Sequence, residues 1–368
     1  MRRFVMALIV GVSAVIAGCS EATFPAIESS ADAAELQRVV DSTVNALRLP
    51  GAVVAIRVNG GSDYLLTSGV ENLSSKSAMS FGNRFRVGSI TKTMIATIAL
   101  QLVGEGSIAL TDSVARWLPG VVPNANRITI RMLLNNTSGV PDYIQDPAFQ
   151  AALIANPGRT VTTAETLAAA NRMTRKFEPG AAGRWEYSNT NFILLGLVIE
   201  AVTGMSIEQA LQRRIFDRLG LSNTFFATTT AAPPPFSRGY SDLSGTSNVD
   251  VTTLLSPTFA AAAGAVVSNA RDLLIWSEAL AAGGLVTVAL HADQIAPVPA
   301  SGSEAYGLGV QKLGAWIGHS GEIVGYSASM FTRPGVGTIV VLVNKSLASG
   351  SASFALLDRL RWAEFGTQ

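Results

Sequence analysis

A serine and a lysine three positions apart could form a nucleophile and its base. Ser89 and Lys92 lie where an extended segment gives way to an apolar helical stretch, and a residue at a helix start has an unpaired backbone N–H. Positions i and i+3 share one face of a helix, so the lysine amine can reach the serine hydroxyl. Burial disfavours the ammonium form and would make the amine a usable base. A capping serine with an exposed lysine is the simpler interpretation of these four residues alone.

A second motif pairs a phenol with a carboxamide. Tyr187 and Asn189 are two residues apart in a predicted extended loop before a helix, where alternate side chains point to the same side, so both could line one cleft. A tyrosine can move a proton, and an asparagine can bridge a lysine and a substrate carbonyl. By itself the motif also fits a helix-capping loop with an aromatic residue packed beneath it.

A third motif, His319-Ser320-Gly321, follows an apolar strand predicted over residues 315–317. Glycine in a strand often marks close approach of a ligand or of another backbone segment. A strand edge here could supply a backbone N–H to a carbonyl oxygen and pair with an extended substrate. The alternative is a hairpin turn with an incidental histidine.

Taken in order, Ser-x-x-Lys, Tyr-x-Asn and His-x-Gly resemble the serine penicillin-recognising family, which comprises class C β-lactamases, serine DD-carboxypeptidases and related esterases. Within that family the chain is most similar to DD-carboxypeptidases of the secreted actinomycete type. The resemblance covers nearly the whole chain beyond its N-terminal segment. The similar segments are Phe85–Lys92, Leu133–Gly139, Pro179–Gly180, Tyr187–Phe192, Ala263–Ser268, Tyr306–Gly309 and Gly318–Gly321.

The resemblance implies a catalytic role for five side chains. Ser89 would be the acylated nucleophile and Lys92 its activator. Tyr187 would relay the proton to the leaving group and assist water in deacylation. Asn189 would position the substrate and the lysine, while His319 would take the place that a lysine holds in other members. No cofactor and no metal is implied.

The resemblance also implies a substrate-binding edge that departs from the family pattern. The N–H groups of Ser89 and Glu322 would form the oxyanion hole, in which each donor contributes roughly 3–4 kcal/mol, and Ser320 and Gly321 would line the same edge. Close relatives bind a peptide carboxylate with an arginine and a hydroxyl residue, where this chain has Gln311 and Glu322. Glu322 would repel an anionic terminus at close range unless its side chain is protonated or turned away. We therefore expect neutral or amine-bearing esters and amides to be better substrates than D-Ala-D-Ala termini.

The elements around these motifs predict an α+β fold of the β-lactamase/transpeptidase-like type. A helical stripe over 33–47 precedes a predicted hairpin, and a helix over 354–363 closes the chain. Strands at both ends and helices between them indicate an antiparallel sheet built from N- and C-terminal segments, flanked by helices, with a mostly helical inserted subdomain. We assign 33–88 and 260–368 to the α/β subdomain and 89–259 to the helical one. The predicted strands are 51–58, 64–70, 306–310, 315–317, 325–331 and 338–343.

Composition excludes several classes of function. The 27 basic and 26 acidic side chains leave a formal charge of +1, without the basic surplus that a nucleic-acid-binding protein uses to displace counterions. A hydrophobic content of 48% excludes disorder. The single cysteine permits no intramolecular disulfide, and with only two histidines it leaves little material for a zinc site.

The N-terminal segment is predicted to direct export and to anchor the protein to a membrane. Residues 1–18 combine two arginines, an apolar run and small residues, as in a secretory signal peptide. The small residues before Cys19 resemble a bacterial lipobox, so Cys19 would be lipidated and 19–32 would tether the domain. We therefore expect an exported lipoprotein anchored to the cell membrane or envelope. Its partners would be a small-molecule or peptide substrate, such as a peptidoglycan stem peptide or a β-lactam.

Two alternatives belong to other classes. An α/β-hydrolase needs Gly-x-Ser-x-Gly, and the sequence around Ser320 fails at its last position, Glu322. A catalytically silent envelope protein could keep the fold in order to bind peptidoglycan or a protein partner. The three intact motifs argue against this second alternative without excluding it.

Overall fold

The computed structural model describes residues 33–59, 63–241, 248–298, 305–347 and 351–365. The predicted signal peptide (1–18), the lipidation site Cys19 and the tether (19–32) lie outside the described residues. Those predictions therefore have no structural test.

Twelve strands form three sheets within the described residues. The main sheet is antiparallel and has the order β2-β1-β11-β10-β9-β8, so it joins the N-terminal hairpin to the C-terminal strands. The strands are β1 Gly51–Val58, β2 Asp63–Gly69, β3 Phe85–Arg86, β4 Phe225–Phe226, β5 Tyr240–Ser241, β6 Val249–Asp250, β7 Val266–Ser268, β8 Gln311–Leu313, β9 Trp316–Ile323, β10 Tyr326–Arg333, β11 Gly337–Val343 and β12 Lys345–Ser346.

Helices cover both faces of the main sheet and fill the middle of the chain. The α-helices are α1 Ala33–Ala46, α2 Thr91–Gly104, α3 Ile130–Leu134, α4 Pro147–Ala155, α5 Thr163–Arg172, α6 Asn189–Thr203, α7 Ile207–Leu211, α8 Asp217–Leu219, α9 Ala270–Ala282, α10 Val288–Ile295 and α11 Ala352–Phe365. A π-helical turn, Gln212–Phe216, joins α7 to α8.

Alternation along the strands produces two separate cores. In β1, Val54 and Ile56 pack with residues of α1 and α11, whereas Val53 and Ala55 belong to the core shared with α2, α6 and α9. Both faces are buried because successive side chains of a strand point to opposite sides. The α+β architecture, with a sheet made from both ends of the chain, is confirmed. The division at 88/89 and 259/260 stays a prediction.

The structure corrects several predicted elements. The run 306–310 is not a strand: only an isolated bridge joins Tyr306 to Gln311, and Gly309 has a left-handed φ of +74° that leaves the extended conformation. The motif at His319 lies inside β9 rather than after a strand. Helix α4 was not predicted, although Asp146 caps it and Pro147 occupies its first turn. Helix α10 was also missed.

Among the described residues no single helix has the length and apolar character to cross a membrane. The pair formed by α6 and the segment Ile207–Leu219 meets the criterion only jointly, and it is bent by 80°.

Candidate active site

Ser89 lies in a tight turn that joins β3 to α2. The turn, Gly88–Ile90, is a single 3₁₀ turn, and α2 begins at Thr91. Gly88 has a φ of +52°, a conformation that favours glycine. A Cβ atom on Gly88 would lie 2.7 Å from the carbonyl oxygen of Glu322. The turn therefore packs directly on β9, and glycine at this position makes that approach possible.

The Lys92 amine is buried among three acceptors. Its side chain has no solvent exposure, and Nζ lies 2.9 Å from Ser89 Oγ, 2.7 Å from Asn189 Oδ1 and 2.7 Å from the carbonyl oxygen of Ala263. An ammonium group can donate to all three. A neutral amine can donate to Asn189 and Ala263 and keep its lone pair directed at the Ser89 hydroxyl. The predicted Ser89–Lys92 contact is present.

Burial favours the neutral form of the Lys92 amine, which is the form that can act as a base. Loss of solvent lowers the pKa of Lys92 to about 7, against the opposing effect of the Asp142 carboxylate. The tyrosine ring of Tyr187 lies 5.0 Å from Nζ and that of Phe192 lies 5.5 Å away, so aromatic groups replace water around the amine. A substantial fraction of Lys92 is therefore neutral near pH 7.

Helix α6 positions Asn189 in its first turn. The helix begins at Asn189, two residues earlier than predicted, after an extended Ser188. The carboxamide oxygen accepts from Lys92, and Nδ2 donates to Asp142 Oδ2 at 2.8 Å. Asn136, buried and in a left-handed conformation, accepts from the backbone N–H of Ser188. These contacts fix the loop that carries the second motif.

Aromatic side chains join the second motif to the third. The rings of Tyr187 and His319 are 6.4 Å apart, and Tyr306 packs edge-on against both. Tyr306 Oη lies 3.2 Å from His319 Nε2. Burial lowers the pKa of His319 to about 3, so its imidazole is neutral at physiological pH. The structure thus brings Tyr187 and His319 to the same side of the site as Lys92.

The face of β9 at Gly321 packs against the Ser89 turn. A Cβ atom on Gly321 would be 2.0 Å from the carbonyl oxygen of Val87 and 2.9 Å from the Ser89 backbone nitrogen. Glu322 pairs with Ser327 in the hairpin that closes at Ile323 and Tyr326. Along an antiparallel strand, the backbone N–H groups of successive residues point alternately toward and away from one neighbouring strand. The N–H of Glu322 therefore points away from β10, toward the other edge of β9. That placement is compatible with the predicted oxyanion hole of Ser89 and Glu322, which stays a prediction.

The Glu322 side chain is turned away from the face that carries His319. It differs from His319 by an odd number of positions and projects from the opposite face of the sheet. There its carboxyl group accepts from Ser327 Oγ, near the start of α11. The lack of solvent raises the pKa of Glu322 to about 8, so the side chain is a neutral acid at pH 7. The condition for repulsion of an anionic substrate, an ionised Glu322 turned toward that substrate, is therefore not met.

Gln311 and Ser320 contact each other at the outer edge of β9. The Gln311 Oε1 atom accepts from the Ser320 backbone N–H at 2.8 Å and from its hydroxyl at 3.0 Å. Gln311 thus accepts from a backbone N–H of β9 that an extended substrate could otherwise use. Their predicted contact with substrate is not tested by this geometry.

Two contributors to the site carry no signal in the sequence. Asp142 follows Pro141 in a loop whose sequence carries no motif for catalysis, and it reaches Asn189 only through the fold. The Ala263 carbonyl is a backbone group, so no side-chain pattern could identify it. Tyr306 was noted as part of a family-like segment but was assigned no role.

A buried lysine is hydrogen-bonded to a serine at a helix start, with a carboxamide, a phenol and a strand edge around it. This is an arrangement in which an amine can activate a hydroxyl nucleophile. The family model described as Beta-lactamase matches residues 36–360. The chain belongs to the β-lactamase family, and the predicted membership of a family of serine hydrolases is confirmed.

Solved structures and curated relatives agree with this membership. A D-stereospecific amidohydrolase from Streptomyces sp. superposes with a TM-score of 0.81 at 36% identity, covering 92% of this chain and 100% of that one. The D-amino acid amidase from Ochrobactrum anthropi SV3 gives 0.81 at 26% identity, with 90% and 99% covered. Esterase EstB from Burkholderia gladioli is 29% identical over 59% of this chain. The D-aminopeptidase from Cereibacter sphaeroides is 26% identical over 88%. The matched segments span only 56% and 62% of these two relatives.

Proposed function

We propose that the protein hydrolyses amide or ester bonds of substrates that lack a terminal carboxylate, through an acyl-enzyme on Ser89. The observation that carries this proposal is the contact between Ser89 Oγ and the Lys92 amine, which lie 2.9 Å apart. The Lys92 side chain is fully buried. A pKa near 7 supplies the free amine that a general base needs.

In the proposed reaction, the Lys92 amine takes the Ser89 proton as Oγ attacks the substrate carbonyl carbon. The negative charge on the carbonyl oxygen is stabilised by the N–H groups of Ser89 and Glu322. Collapse breaks the bond to the amine or alcohol, which leaves with the proton delivered by way of Tyr187. Water then attacks the acyl group, gives its proton back through the same groups and releases the acid and free Ser89.

The preference for neutral or amine-bearing substrates now has a different support. Relatives carry an arginine at the position of Gln311. Gln311 is uncharged and accepts hydrogen bonds from Ser320, so it offers no cation to a carboxylate. Two similar structures are of a D-stereospecific amidohydrolase and a D-amino acid amidase. We therefore favour amides and esters of D-amino acids over D-Ala-D-Ala termini and β-lactams.

Two substrates test this preference directly. Release of ammonia from a D-amino acid amide, or of p-nitrophenol from a neutral ester, is expected to be faster than release of D-alanine from a D-Ala-D-Ala peptide. Efficient D-alanine release would show instead a carboxypeptidase, and rapid turnover of a β-lactam would show a β-lactamase.

Covalent labelling separates an enzyme from a silent binding protein. A fluorophosphonate should add its mass once to the wild-type protein and not at all to the Ser89→Ala variant. Ser107→Ala is the matched control, because Ser107 is an exposed serine beyond the end of α2 and outside the three motifs. Failure of the wild-type protein to label would favour the silent envelope protein. Intact-mass measurements over time after exposure to a β-lactam would show whether an acyl-enzyme persists.

We also propose that Cys19 is lipidated and anchors the exported protein to the membrane. The support is the sequence alone: a short apolar run, then small residues, then the single cysteine. Expression in a bacterial host with a radiolabelled fatty acid should label the wild-type protein. Equal labelling of Cys19→Ser would contradict the proposal.

A further inference from the structure

Asp142 is a buried carboxylate that the proposed reaction does not use directly. It is 8% exposed, and each of its oxygens accepts a hydrogen bond. Oδ1 accepts from the Ile144 backbone N–H at 3.2 Å, and Oδ2 accepts from Asn189 Nδ2 at 2.8 Å. The backbone N–H of Asn189, at the start of α6, also favours the carboxylate, although burial raises the pKa of Asp142 overall. Both oxygens face donors, as the ionised form requires.

The carboxylate determines which way the Asn189 carboxamide points. A carboxamide presents an acceptor on one side and a donor on the other. An ionised Asp142 has no proton to give, so only the Asn189 NH₂ group can face it. The oxygen must then face Lys92, as it does at 2.7 Å. The reversed orientation would set an NH₂ group against the lysine amine and an oxygen against a carboxylate, two unfavourable contacts inside the protein.

We propose that Asp142 is a positioning residue that holds the Asn189 oxygen toward Lys92 and so directs the lysine lone pair at Ser89. The inference rests on the proposed function, because the direction of a lone pair matters only if Lys92 acts as a base. With its two N–H bonds committed to Asn189 and Ala263, a neutral amine has one remaining tetrahedral direction, and Ser89 Oγ lies there.

Asp142 acts on Lys92 through its charge as well. Its carboxylate raises the pKa of Lys92 against the larger effect of burial. The other titratable groups that face this pair are Tyr143, next in the chain, Tyr187 from the loop before α6, and His319 from β9. Burial keeps Tyr143 and His319 neutral at pH 7. Asp142 is thus the charge within this group that can change the titration of Lys92.

The Asp142→Asn variant tests both effects. The new carboxamide has one oxygen for two donors, the Ile144 N–H and Asn189 Nδ2, so one contact must be lost. With a neutral p-nitrophenyl ester, we expect kcat/KM at its plateau to fall roughly tenfold. The rate rises with pH as Lys92 loses its proton, and removal of a negative charge favours the free amine. The rising part of the pH–rate profile, here called the acid limb, should therefore move to lower pH by about half a unit or more.

A charge exchange supplies the decisive second variant. In Asp142→Asn/Asn189→Asp, the carboxamide at 142 can accept from Ile144 and donate to the carboxylate at 189, while the other oxygen of that carboxylate accepts from Lys92. All hydrogen bonds are restored, and the negative charge moves next to the amine. We expect the double variant to be faster than Asp142→Asn, with its acid limb above that of the wild-type protein because the ammonium form is now favoured.

Asp146→Asn is the matched control for loss of a buried carboxylate. Asp146 is 4% exposed and caps α4, accepting from the Phe149 N–H and from Arg172, and it has no contact with Asn189. This variant should lower thermal stability without moving the acid limb. Thermal unfolding of every variant establishes that it is folded, and the double variant carries the test if Asp142→Asn does not fold.

Three results would overturn the inference. They are a wild-type rate and acid limb in Asp142→Asn, a lower rate without movement of the limb in either variant, or a double variant no faster than the single one. Fluorophosphonate labelling distinguishes these results from failure of the proposed function. If Ser89 still labels in the wild-type protein, the serine-hydrolase proposal stands and only the role of Asp142 falls.

Discussion

Glu322→Gln should change the pH dependence of stability. The neutral acid accepts from Ser327 Oγ on the α11 side of the sheet, and burial raises the pKa of Glu322 from 4.5 to about 8. Between these pH values the folded protein keeps a proton that the unfolded chain has lost. The free energy of unfolding therefore falls as pH rises, by about 1.4 kcal/mol per pH unit. Over the whole titration the loss amounts to about 5 kcal/mol.

Glutamine is nearly the same shape as the neutral acid and does not titrate, so the variant escapes this loss. Urea unfolding of the two proteins at pH 5 and pH 8 measures the difference, with other titrating groups common to both. The variant should gain stability relative to the wild-type protein as pH rises. Glu178→Gln, at an exposed ion pair with Arg127, should show no such pH-dependent gain. Parallel stability curves for wild type and Glu322→Gln would refute the assignment of a neutral buried acid.

Two further predictions concern the turn and the histidine. Gly88→Ala should destabilise the protein by more than about 1 kcal/mol and slow the labelling of Ser89, because the new Cβ meets the Glu322 peptide at 2.7 Å. Gly106→Ala is the control. Gly106 also has a positive φ, but a Cβ there has nothing within 4 Å, so this variant should keep the labelling rate. The His319 imidazole should not titrate between pH 5 and 8 in a proton NMR experiment, since burial lowers its pKa to about 3, and a His291→Gln variant identifies its signal. A midpoint near pH 6.5 for His319 would contradict the buried, neutral site.

The sequence allowed the nucleophile pair to be predicted because helical geometry alone relates residues three positions apart. Ser89 and Lys92 needed no tertiary information to be placed together. The main sheet was predictable for a similar reason: β1, β10 and β11 are short apolar runs between turn residues. The predicted end of the strand at residue 317 was wrong, because β9 continues to Ile323. The close approach of backbone expected at glycine is present, since Cβ atoms on Gly318 and Gly321 would lie 1.9 Å from the Met330 oxygen and 2.0 Å from the Val87 oxygen.

The contacts that tune the site could not be predicted, because they join segments far apart in the chain. Asp142 is 47 residues from Asn189, and Ala263 is 171 residues from Lys92 and contributes only a carbonyl. The direction of the Glu322 side chain was open as well. A strand that begins at residue 316 rather than at 315 and continues through the motif places Glu322 on the face opposite His319.

Burial reduces the formal charge of the site at neutral pH, and this bears on the substrate. A substantial fraction of Lys92 is neutral, His319 is neutral, and Glu322 holds its proton on the far face. Asp142 is the negative charge beside the reacting groups. The Lys92 amine is committed to Ser89, Asn189 and Ala263, so it has no free donor for a peptide carboxylate, whereas Asp142 attracts a substrate amine. A substrate carbonyl becomes negatively charged only in the transition state, where the backbone donors stabilise it most. These electrostatics favour an uncharged or amine-bearing ester or amide.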